Sequence, residues 1–231
     1  MDYENALIKA FNHMGANVHG CHFHLCQAIW RFVHTHGLAP TYNANADFRN
    51  SVRSLMALVF LKSSDIHRRF LELRGTVDSD SLMLVYDYFE RTWINGFGTG
   101  LISQHDELVR TNNNAEAFHN SLRHVFFANH PQFNEFVEKT VNIMETAEAD
   151  YEAERLRPKE LDRRRLSSFK NIKCVVDNFY SDSVLGLPLK GLLRRIGDIL
   201  HEDAHFEVTC EQGDDVVLRL SGTTFTRTAF R

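Results

Sequence analysis

Three small groups of residues have the types and spacing that chemistry needs. The first is a carboxylate pair, Asp2 and Glu4, flanking Tyr3 at the start of the chain. The second is Gly20-Cys21-His22-Phe23-His24, with Cys26 and Gln27 behind it. Cys21 and His24 in this run can reach one zinc ion, because zinc is commonly held by thiolate and imidazole. A closed tetrahedral site needs a second such pair, and none with ligand spacing follows nearby. A small buried thiol beside a hydrogen-bonded histidine is the plainer reading of the same residues. The third group is Arg110-Thr111-Asn112-Asn113-Asn114-Ala115-Glu116-Ala117-Phe118-His119. Its Thr and Asn side chains offer oxygens to cap a first helical turn, and Glu116 follows where exposed N–H groups and the helix dipole favour a carboxylate. Glu116 is then either a dipole partner or a metal ligand, and Asp2 either an N-cap or a reacting carboxylate.

These groups must be carried by helices. His119, Asn120 and Arg123 share a helical face with Glu116, while Phe118, Leu122, Val125 and Phe126 are expected to form a buried one. Ahead of them the apolar spacing predicts helices over 3–11 and 23–33, the second ended by Gly37 and Pro40. Phe48, Val52, Leu55, Met56, Val59 and Phe60 mark the clearest amphipathic stripe. Ser63 and Ser64 are expected to cap a helix through Ile66, Phe70 and Leu73, and Asp78, Ser79 and Asp80 one over 82–94. Gly96, Gly98 and Gly100 then read as a loop.

Beyond His130-Pro131 a helix carries Phe133, Phe136, Val137, Val141 and Met144 on what should be a core-facing side. A charged stretch, 147–173, is expected to be helical with a break near Pro158, and 188–200 forms a further buried helix. Two short strands, 206–210 and 216–220, read as a hairpin. The fold class is therefore mainly α, with an α+β tail.

The chain of 231 residues is 43% hydrophobic and 24% charged, an ordinary globular composition able to bury a full core. Its apolar runs fall well short of the ~20 residues of a membrane helix, and its first residues lack signal-peptide character. An intracellular protein with no membrane partner is expected. Cys21, Cys26, Cys174 and Cys210 are too few and scattered for a disulfide framework, so reduced thiols are expected. A net charge of −4 argues against a generic nucleic-acid coat. Between 155 and 173, however, Arg155, Arg157, Lys159, Arg163, Arg164, Arg165, Lys170 and Lys173 face only Glu160 and Asp162. That stretch is either a phosphate-contacting patch or a solvated helix face.

The order of the motifs adds what none carries alone. Asp-aromatic-Glu opens a helix; then come Gly20-Cys21-x-Phe23-His24-x-x-Gln27-Ala28-Ile29-x-Arg31, a helical insert containing Tyr88-Phe89-Glu90-Arg91-Thr92-Trp93-Ile94, and Arg110-Thr111-Asn112-Asn113-x-x-Glu116. This series, over roughly residues 2–145, resembles the transposase domain of Mutator-like elements. The resemblance implies an RNase H-like core with a helical insertion, in which an Asp-Asp-Glu triad binds two Mg²⁺ or Mn²⁺ ions ~4 Å apart for phosphodiester hydrolysis and strand transfer. By motif position Asp2 matches the second Asp and Glu116 the Glu, both catalytic and metal-binding. Cys21 and His24 match a Cys-x-x-His signature with a structural or accessory role, zinc being an alternative.

The first Asp of that pattern belongs upstream of Asp2, so the expectation is a truncated core that lacks its N-terminal strands and does not cut DNA by itself. Its boundaries would be 1–145 for the partial transposase domain, 146–204 for a charged helical extension and 205–231 for the tail. DNA at transposon ends is the implied partner, and the nucleus the implied location. Arg110, Asn112, Asn113, His119, Arg123, Arg163, Arg164 and Arg165 are the side chains expected to meet it. Homo-oligomers are compatible with this reading. A non-catalytic helical module, binding DNA or protein and derived from such an enzyme, is the alternative.

Overall fold

The computed structural model describes residues 3–126, 131–156, 163–181 and 188–203, with three short segments at 207–208, 218–220 and 223–225. α1 (Asn5–His13) starts two residues later than the predicted helix and stops ahead of Gly15, which takes a φ of +71°. α2 (His22–Thr35) buries Leu25, Ile29, Trp30 and Val33 at the spacing of one helical face. Pro40 does more than end it. It occupies the first turn of a short helix, α3 (Ala39–Ala44), where a missing N–H leaves no bond unmade.

α4 (Ala46–Leu58) is capped by Asn45, whose Oδ1 accepts from the N–H groups of Asp47 at 2.9 Å and Phe48 at 3.1 Å. It lays Phe48, Val52, Leu55 and Leu58 into the core. α5 (Ser63–Arg74) has Lys62 as its N-cap residue and makes no side-chain cap bond, contrary to the part expected of Ser63 and Ser64. α6 (Asp80–Phe89) runs on into a π-helical segment, Glu90–Phe97, and this wider coil ends at Gly98 with a φ of +88°. Helical structure therefore reaches past Ile94 into the expected glycine loop. Arg74 of α5 donates to Glu90 at 2.8 Å and ties the two elements together. α7 (Thr99–Ile102) follows directly.

The core is one continuous cluster. Phe70 of α5 stacks on Tyr86 and on Phe89 of α6, each at 5.7 Å between centroids. Burying a side chain of this size contributes about 1.5–3 kcal/mol. α10 (Arg163–Ser181) and α11 (Leu189–Asp203) supply Ile172, Val175, Val176, Leu192, Leu193 and Ile196 to the same cluster, and α11 packs on both α4 and α10. The boundary expected at 145/146 falls inside α9 (Phe133–Leu156), and the helices beyond it complete the core.

α8 (Asn113–Val125) differs from expectation in another way. Phe118 is 50% exposed, and Leu122, Val125 and Phe126 are only half-buried, because α8 leans on the chain at its ends instead of lying along it. Its C-terminal end meets α9, where Phe126 stacks on Phe136 at 5.6 Å and Lys139 Nζ donates to the Val125 carbonyl at 2.9 Å. No residue of α9 is buried, so its apolar side does not face the core.

The protein is mainly helical. Among the described residues the only sheet is a small antiparallel one of β1 (Glu207–Val208), β2 (Leu218–Leu220) and β3 (Thr223–Phe225), paired in that order. β1 and β2 lie where the hairpin was expected. No sheet underlies the helices, so an RNase H-like core has no counterpart among the described residues.

Candidate functional site

The residues at the start of α2 are the centre of the site, and groups far away in the sequence hold them. Gly20 N–H donates to the Leu101 carbonyl at 2.8 Å, Gln104 Nε2 donates to the Gly20 carbonyl at 2.8 Å, and His22 N–H donates to the Arg110 carbonyl at 2.8 Å. Gly20 is required by its neighbour. A Cβ there would fall 2.3 Å from the Tyr3 ring. Tyr3 is itself wedged against two rings of the π-helical segment, Trp93 at 4.7 Å and Phe97 at 4.9 Å. Asp2 lies outside the described residues, and with it the N-cap expected of it. The N-cap residue of α1 is Glu4, which makes no side-chain cap bond.

Cys21 is the N-cap residue of α2 and is 1% exposed. Its Sγ donates to Asn112 Oδ1 at 3.2 Å. Burial alone would push the thiol up, but the His24 imidazole and the N–H groups of His24 and Asn112 outweigh it and hold Cys21 below the usual thiol range. His24 in turn places Nε2 3.8 Å from Glu116 Oε1 in the first turn of α8. Asn112 is the N-cap residue of α8, yet its side chain turns away from the helix to Cys21. The run of Thr and Asn that should have capped α8 thus serves partly to dock it.

His22 forms the other side of this junction. Its Nε2 is 3.1 Å from the Met56 carbonyl and 3.4 Å from Cys26 Sγ, and its ring meets Phe60 edge-on at 4.9 Å. Burial pushes its pKa down to about 4 and pushes the Cys26 thiol up to about 12, so both are uncharged near neutrality.

The residues expected to meet DNA divide. Arg110 is built into the junction: its Nη2 donates to Ser168 Oγ of α10 at 2.9 Å, and its guanidinium lies 5.5 Å from the centre of the Phe60 ring. Asn112 is engaged with Cys21. Asn113, His119 and Arg123 are exposed on α8. Arg163, Arg164 and Arg165 open α10, and their side chains are not among those described. Beside Arg110, Gln104, Asp106, Lys173 and Asp177 line a small cleft between the 104–110 loop and α10, with Lys173 paired to Asp106. Nothing local in the sequence marks Gln104 or Asn112 as joining elements, since both act on residues more than eighty positions away.

The junction thus holds a thiol, an imidazole and a carboxylate in sequence. Cys21 and His24 are donors that suit zinc, whereas Mg²⁺ and Mn²⁺ want several hard oxygens, and among the described residues of this junction Glu116 is the carboxylate that reaches His24. Among the described residues no group of three or more His, Cys, Asp or Glu is placed to hold a metal ion. The described residues therefore do not by themselves fit a two-metal centre.

Fold and site together define a mainly helical protein in which two polar segments from distant parts of the chain meet at the starts of α2 and α8. Comparison with protein-family models, with curated proteins and with solved structures returns no match to this chain. No helix among the described residues is long and apolar enough to cross a membrane.

Proposed function

We propose that this chain derives from the catalytic domain of a DDE-type, cut-and-paste transposase of the Mutator-like class, and that it binds DNA in the nucleus without cutting it alone. One observation supports this above the rest. The two motifs on which the resemblance rests, Gly20-Cys21-x-x-His24 and Arg110-Thr111-Asn112-Asn113-x-x-Glu116, meet in space through Cys21–Asn112, His22–Arg110 and His24–Glu116. The mostly helical stretch between them, α3 to α7, stands where that class carries a helical insertion.

A DDE centre works through divalent metals held by three carboxylates, and by motif match this sequence offers Asp2 and Glu116. The pairing of Glu116 with His24 favours the non-catalytic form of the reading, a DNA-binding module descended from such an enzyme. The test is a plasmid-nicking assay with Mn²⁺, comparing the native chain with an Asp2→Ala/Glu116→Ala variant. Equal background from both is expected. Nicking by the native chain that the double variant abolishes would overturn the non-cutting claim.

A further inference from the structure

The surface where α2 meets α6 carries three rings in one stack. Phe32 of α2 faces His36, just beyond the end of the same helix, with 3.9 Å between centroids and 26° between planes, and faces Tyr88 of α6 at 4.1 Å and 13°. Two rings that close to a third occupy its opposite faces, so the order is His36, Phe32, Tyr88. Phe32 is closed on both sides, and Tyr88 is half-buried against the core. The outer face of His36 is the open end. His36 is exposed, and no other ring among the described residues meets it. Its Nδ1 donates to the Phe32 carbonyl at 2.9 Å, which holds the imidazole on the stack.

Positive charge lies beside the rings. Burial pushes the Tyr88 phenol up, while the Trp93 indole and the guanidinium groups of Arg31 and Arg91 pull it back, so both arginines are near enough to act on it. Both are exposed, and among the described residues neither makes an ion pair. The carboxylates closest to Tyr88 in the sequence, Asp87 and Glu90, are both taken by Arg74 of α5. Pinning α2 to α6 requires the stacked rings but not two unpaired guanidinium groups beside them. A flat aromatic face next to uncommitted positive charge complements a ligand that has a bare π-face and an adjacent anion. An unpaired base on its phosphate backbone has both, whereas a duplex keeps its base faces stacked inside. An acidic protein segment would meet the charges and leave the ring face unused.

We propose that the stack of His36, Phe32 and Tyr88 binds single-stranded DNA together with Arg31 and Arg91, an unpaired base lying on His36 and the neighbouring phosphates on the two arginines. The choice of DNA rests on the reading above; the site itself stands on other residues.

Fluorescence anisotropy with two labelled strands of about 12 nucleotides, an oligothymidylate and an abasic strand with the same phosphates, separates stacking from charge. The native chain should bind the thymidylate at least about tenfold more tightly. His36→Ala should erase that preference and His36→Phe should keep it, both with the native circular dichroism and melting point, since the ring is exposed. Arg31→Ala/Arg91→Ala should weaken binding of both strands and flatten the salt slope by about 1.4, for two lost phosphate contacts on a single strand. Equal binding of the two strands or none, a preference that survives His36→Ala, a salt slope unchanged without the two arginines, or tighter binding of the matching RNA strand would overturn the proposal. None of these readouts depends on Arg163, Arg164 or Arg165, so a failure here is distinct from a failure of duplex binding.

Discussion

Cys21 Sγ stands 3.2 Å from Asn112 Oδ1, a bond that spans 91 residues of sequence and joins the start of α2 to the start of α8. Through it the Cys-x-x-His segment and the Glu116 helix become one structural unit. An Asn112→Cys substitution would set two thiols side by side at this point. Mild oxidation should then link position 112 to Cys21, read by mass spectrometry of non-reduced peptides. No link, or a link from position 112 to Cys26 or Cys174 instead, would contradict the geometry.

His22 makes stability depend on pH. Its pKa falls from 6.5 in the unfolded chain to about 4 in the fold, so between these values the unfolded state binds the extra proton. The stabilisation it permits is complete above about pH 6.5 and is lost progressively as pH drops towards about 4. Linkage puts the loss at about 3 kcal/mol, as an upper figure. Urea unfolding across this range should show that fall, and His22→Gln should flatten it. An unchanged slope in the variant would show that the ring is not held neutral.

Gly20 and Tyr3 should behave as a coupled pair. Gly20→Ala drives a methyl into the Tyr3 ring and should cost about 1–3 kcal/mol, the range typical of overpacking. Tyr3→Ala alone removes the contacts with Trp93 and Phe97. Because the ring that Gly20→Ala strikes is already gone in Tyr3→Ala, the double variant should be more stable than the sum of the two losses predicts. Additive losses in thermal melts would mean that the ring does not cover Gly20.

Periodicity read the interior helices well. In α2, α4, α5 and α11 the apolar residues recur at helical spacing and are the same ones that reach the core. It failed on α8 and α9, because spacing shows which side of a helix is apolar but not whether anything covers it. Phe118 and Phe133 are therefore exposed where burial was expected. The charged run of 155–173 concealed its buried end, since Ile172 joins a core whose other members lie far from it in the sequence. In the site, motif order linked Cys21, His24 and Glu116, while the parts played by Asn112, Gln104 and Tyr3 depend on contacts no local pattern encodes.

Binding to duplex DNA tests the central claim most directly. Fluorescence anisotropy of a labelled duplex across a salt series should show binding that weakens as salt rises. Replacing Arg163, Arg164 and Arg165 with Ala should lower the affinity for all sequences and flatten the salt slope by roughly 3, as expected for three lost phosphate contacts. The Asp2→Ala/Glu116→Ala variant should bind as the native chain does. No binding at low salt, or binding indifferent to the three arginines, would contradict the account.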